Sequence, residues 1–106
     1  MTRACIDCGG CGRAAAVKVA ASGDGRVAVE IESDCPEAVE LGRHLGAVDP
    51  YGEIGSLLQS ATYRAAGQCL RHAGCVVPVA VIRAIEVEAG LALPNTASIA
   101  ITKEET

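Results

Sequence analysis

Apolar and polar residues alternate along 26–32, where Val27, Val29 and Ile31 interleave with Ala28, Glu30 and Glu32. Strict alternation marks a half-buried strand, here with an acidic face toward water. Residues 14–21, rich in Val and Ala, read as the strand before it. Ser22-Gly23-Asp24-Gly25 lies between the two and predicts a hairpin, because Gly and Asp tolerate positive φ. The period then lengthens. Ala38, Leu41 and Leu45, with Val48 beyond them, form a helical stripe, and a helix is expected over 35–46. Asp34 or Cys35 can cap it, and Pro36 suits its first turn, where the missing N–H costs nothing. Gly46 is its stop. Asp49-Pro50 marks a turn that opens a short helical turn over 51–54. Ser56 can cap a helix over 56–71 with Leu58, Ala61, Ala65 and Cys69 as its apolar face. After a break at Ala73-Gly74-Cys75, Pro78 starts a helix through Ala89, with Ile82, Ile85 and Ala89 on one face, and Gly90 ends it. Residues 98–102 read as a final strand and 103–106 as a frayed charged tail. Residues 1–12 follow neither period and read as a Cys- and Gly-rich loop.

The expected order is β-β-α-α-α-β. A short antiparallel sheet with helices packed on one face is the natural arrangement, so the class is α+β, one domain over 1–106. Composition shapes the core: 50% of residues are apolar, yet Phe and Trp are absent and Tyr51 and Tyr63 are the only aromatic residues. Val, Ile, Leu and Ala must therefore fill it. The formal charge of −4, without a basic cluster or stacking platform, argues against nucleic-acid binding. No apolar run reaches the roughly 20 residues of a membrane span. Residues 1–11 lack the basic-then-apolar layout of a signal peptide, so the sequence reads as cytoplasmic. In a reducing compartment its six cysteines read as thiols or ligands rather than structural disulfides.

Three constellations carry this thiol chemistry. The first is Cys5-x2-Cys8-x2-Cys11, whose glycines free backbone N–H groups to face sulfur. It resembles the first three ligands of a bacterial ferredoxin, but Ala15 stands at the expected fourth position. The second is Asp34-Cys35-Pro36-Glu37, a thiol between a strand end and a helix start, where the helix dipole favours an anion. The third is Cys69-Leu-Arg-His72-Ala-Gly-Cys75, in which His72 and Cys75 are close enough in sequence to reach one ion. Cys69 lies on an apolar helix face and suits a core position as well as a ligand. His72 equally suits a helix C-terminal cap, and His44 the surface. The start of the first strand, the end of the second and the Cys75 turn can meet at one edge of a small sheet. Three thiolates about 4 Å apart would repel by roughly 4 kcal/mol per pair at an effective dielectric near 20. A cation relieves that repulsion, and soft thiolates select Zn²⁺ or iron.

From residue 32 to 94 the segments Ser-Asp-Cys35-Pro, His72-x2-Cys75-x2-Pro78 and Glu86-x3-Gly90-Leu-Ala-Leu-Pro94 resemble a family of small, uncharacterised bacterial and archaeal proteins. In that family a Cys-Gly precedes the first strand, matching Cys11-Gly12. More distantly, the layout is similar to the domain named for its Thr-Ser-Cys-Pro-Asp motif. That domain ends some ribonucleotide reductases and is thought to bind metal through its cysteines. The resemblance picks out Cys11, Cys35 and Cys75, with His72 nearby, and supplies no activity.

The leading expectation is a module binding Zn²⁺ or an iron–sulfur cluster through Cys11, Cys35 and Cys75, with Cys8, Cys69 or His72 completing the set. Cys5 and Cys8 form an optional extension. The alternatives are a thiol-redox or sulfur-handling protein using Cys8 and Cys11 or Cys35, and an interaction module with incidental thiols. No Ser/His/Asp arrangement, phosphate loop or paired carboxylates suggests another enzyme. Open sheet edges and Ala/Val-rich surfaces allow a homo-oligomer.

Overall fold

The computed structural model describes residues 1–8 and 12–104. Its elements are β1 (Thr2–Asp7), β2 (Ala14–Ala21), β3 (Val27–Ser33), α1 (Pro36–Leu45), β4 (Ala47–Val48), α2 (Pro50–Glu53), α3 (Ala61–Cys69) and α4 (Val77–Glu88). The four strands form one antiparallel sheet in the order β1-β2-β3-β4. The α+β class with helices on one face therefore holds, but the strands are partly different ones.

The central hairpin is as its alternation predicts. Val17 and Val19 on β2 and Val27, Val29 and Ile31 on β3 are buried on one face. The turn closes with Ser22 N–H donating to the Arg26 carbonyl at 3.0 Å, and positive φ falls at Gly23 and Gly25. Ala4 and Ile6 of β1 extend the same face. Leu41 and Leu45 from α1 and Val77, Val81 and Ile85 from α4 close the core over it. In the helical layer α1 lies on β3, α4 lies on β1 and β2, and α3 packs between α1 and α4.

Four expectations require correction. Residues 2–7 are a strand, not a loop: Thr2, Ala4 and Ile6 face the helices while Arg3, Cys5 and Asp7 face outward. Their backbone pairs with β2 from Thr2↔Val19 to Asp7↔Ala14. Residues 98–102 form no strand and lie exposed. Val48 does not extend the α1 stripe; Gly46 ends that helix and Val48 pairs with Val27 in β4. The third helix begins at Ala61 rather than 56, because Ser60, not Ser56, accepts the capping bond, from Tyr63 N–H at 3.0 Å. Leu58 accordingly points into solvent at 88% exposure.

A carboxylate that periodicity does not reveal anchors that helix start. Glu53 is only 5% exposed, yet its oxygens accept hydrogen bonds from Ala61 N–H (2.9 Å), Thr62 N–H (2.7 Å) and the Thr62 hydroxyl (2.6 Å). The first amides of a helix have no intrahelical acceptor, and Glu53 supplies one from the preceding element.

Candidate cysteine site

The antiparallel register decides which cysteines share an end of the molecule. The C-terminal end of β1 lies beside the start of β2, and the start of β2 lies beside the end of β3. Cys8, just past β1, and Cys35, just past β3, therefore occupy the same end of the sheet. Cys75 joins them because α4 runs antiparallel to β1. At the far end of α4 the Glu88 carboxylate accepts a 2.7 Å bond from the Thr2 hydroxyl. The α4 N-terminus, two residues after Cys75, thus lies toward the Cys8 end.

Two sets of polar contacts tie these segments together. Cys8 N–H donates to the Arg13 carbonyl at 2.9 Å, and the Arg13 guanidinium donates to the Asp34 carbonyl at 2.6 Å, one residue before Cys35. Ser33 adds a second link: its hydroxyl donates to the Ala14 carbonyl at 2.7 Å and accepts from Cys35 N–H at 3.0 Å. On the other side Glu37, in the first turn of α1, holds Arg71. One carboxylate oxygen accepts the Arg71 backbone N–H at 3.1 Å and the other lies 3.4 Å from Nε. The 70–76 connection, which carries His72 and Cys75, is thereby pinned beside the α1 start.

Cys35 is the N-cap residue of α1, with extended backbone and Pro36 following, and its sulfur makes no capping bond. Cys8, Cys35, Cys69 and Cys75 are all half-buried and packed against the one core. His72 is exposed and lines, with Arg71, Cys75, Tyr63 and Pro78, a groove of about 360 Å³.

The remaining candidates fall elsewhere. Cys5 is exposed on the outer sheet face, opposite Ala16, with the sheet between it and the helices. Cys69 ends α3, where burial first and the Glu40 carboxylate second push its thiol pKa up, which keeps it neutral. His44 sits on the polar side of α1, 3.7 Å from Glu40. Cys11 lies outside the described residues. Among the described residues, no three His, Cys, Asp or Glu side chains are placed to hold one metal ion. The fold thus gathers the segments of Cys8, Cys35 and Cys75 at one end and leaves Cys5 apart.

The Arg13–Asp34 and Glu37–Arg71 ties are invisible to spacing rules. The only sequence hint is an acidic residue in a helix first turn following Cys-Pro.

Fold and site together define a small α+β domain: an antiparallel sheet backed on one face by helices, with thiols at the ends of its elements. The chain belongs to a family of unknown function (DUF6951), whose model matches residues 2–101. No curated protein and no solved structure matches the chain. Among the described residues, no helix is long and apolar enough to cross a membrane.

Proposed function

We propose that the chain binds a thiophilic metal centre, Zn²⁺ or an iron–sulfur cluster, at the end of the sheet that carries Cys8, Cys35 and Cys75. Cys35 and Cys75 supply ligands from two helix starts, and the Cys8–Cys11 run supplies the others. His72 is the alternative fourth ligand, and Cys69 is the least suited because its thiol is held neutral. The likeness of Ser-Asp-Cys35-Pro and the Cys75 turn to the Thr-Ser-Cys-Pro-Asp type of domain points the same way.

The observation that carries this reading is the pair of ties described above. Arg13 clamps the β1–β2 connection to the residue before Cys35, and Glu37 clamps the Cys75 connection to the α1 start. Three cysteine-bearing segments distant in sequence are held at one end by polar contacts that the hydrophobic core does not require. Thiolates gathered there call for a cation, and soft sulfur donors favour zinc or iron.

Cys35→Ser should abolish metal retention, while Cys5→Ser, on the opposite face of the sheet, should retain the wild-type metal content. Metal analysis of the two purified variants checks this. Full metal content in Cys35→Ser would remove the proposed site.

A thiol-redox reading draws on a different fact. No three described ligating groups converge, whereas a dithiol needs only two sulfurs. Cys8 and Cys11, or Cys8 and Cys35, would then cycle between dithiol and disulfide, passing two electrons and two protons to a partner thiol–disulfide couple. A metal-free protein that takes up two electrons per chain on reduction would support it.

A further inference from the structure

Residues 91–104 continue past Gly90 and belong to no helix or strand. Leu93, Ile99 and Ile101 are 82%, 76% and 89% exposed. Ser98-Ile99-Ala100-Ile101-Thr102 nevertheless carries the pattern of a half-buried strand: two β-branched residues alternate with small or polar ones. The molecule measures 53 × 28 × 24 Å, one axis about twice the others.

The same chain offers an edge for such a strand to join. In the order β1-β2-β3-β4 the edges are β1, six residues long, and β4, two residues long. Antiparallel pairing engages the N–H and C=O of every second β1 residue with β2 and turns those of the alternate residues outward. An edge strand of this length without Pro, Lys or a bulge is a template for further pairing. Its inward side chains Ala4 and Ile6 stay half-buried, so Ile99 and Ile101 of an added strand would continue the apolar face. The lengths also agree, five residues against six.

Geometry selects the donor. The Thr2–Glu88 bond places the start of the C-terminal segment beside the beginning of β1. Residues 89–97 can span up to about 30 Å. Two copies set edge to edge about a two-fold axis would each hand this segment to the neighbouring β1. Each copy has one β1 edge and one such segment, so an exchange between these two closes with neither left over. We propose that residues 98–102 add as a fifth strand to the β1 edge of a second copy, giving a reciprocally exchanged dimer.

Sedimentation velocity on the full chain under reducing conditions tests this, alongside the double variant Ile99→Asp/Ile101→Asp. The wild type should be dimeric, with slow amide exchange along both β1 and 98–102. The variant should be monomeric, with fast exchange at 98–102 and unchanged helical circular dichroism, because both side chains are exposed in the single chain. A monomeric wild type would overturn the proposal, as would a dimer that persists in the double variant.

Discussion

Glu53 shows how a single side chain can be misjudged from its type. A glutamate in a four-residue helix reads as solvated, yet this one is buried because the α3 start presents it with two amides and a hydroxyl. Removing it would strand buried donors. Hydrogen bonds to a charged group contribute about 1.5–3 kcal/mol, and an orphaned buried donor costs about 1–3 kcal/mol. Glu53→Ala should therefore lower unfolding free energy by about 2–3 kcal/mol, measurable by urea denaturation, whereas exposed Glu104→Ala should change it by less than about 0.5 kcal/mol. The cysteines separate at the same scale. Cys5 is exposed, while Cys69 is packed against the core with its thiol pushed toward the neutral form by burial and Glu40. Thiolate is the reacting species. Alkylation of the native protein near neutral pH should thus label Cys5 well before Cys69, read by peptide mass spectrometry. Early labelling of Cys69 would contradict its placement in the core.

At the scale of elements, legibility follows the strength of the local pattern. The β2–β3 hairpin is written twice, in strict Val/Ile alternation and in Asp-Gly turn chemistry, and it appears within a residue of the expected bounds. Strand β1 is written weakly: its inward residues are Thr2, Ala4 and Ile6, only one of them large and apolar. Cysteines and glycines nearby suggest a ligand loop, and only pairing with β2 makes Thr2–Asp7 a strand. Residues 98–102 carry the stronger local pattern and find no partner within the described chain, so propensity alone forms no strand there. Site residues divide the same way. Cys35 and Cys75 are legible as boundary residues because Pro follows each within three positions. The contacts that fix their segments join residues 21 and 34 apart and depend wholly on topology.

Packing between elements offers a sharp test at Gly42. A Cβ built there would lie 3.1 Å from the Ile31 backbone nitrogen and 3.2 Å from its Cβ and Cγ1. Alanine gains about 1 kcal/mol in helix propensity over glycine. Forcing α1 off β3 costs about 1–3 kcal/mol, and the backbone atom in the way cannot rotate aside. The clash should win, making Gly42→Ala a net loss of about 1 kcal/mol in chemical denaturation. A gain in stability would show that α1 rides more loosely on the sheet.

For the whole molecule, the arrangement serves its cysteines asymmetrically. Helices cover one face of the sheet, Cys5 lies on the other, the segments bearing Cys8 and Cys35 lie at one end, and the connection that carries Cys75 is tied to the α1 start. A core of Val, Ile, Leu and Ala supplies the stability of the hairpin and helices. It leaves the ends of the elements to polar ties such as Arg13–Asp34 and Glu37–Arg71. The metal centre proposed for this end would add its binding energy to the fold. Anaerobic purification of the full chain, followed by metal and acid-labile sulfide analysis, tests that account most directly. It predicts either stoichiometric zinc in a colourless protein or iron and sulfide with visible absorption bands. A metal-free chain with every cysteine titrating as free thiol, and no uptake on reconstitution with zinc or with iron and sulfide, would contradict it.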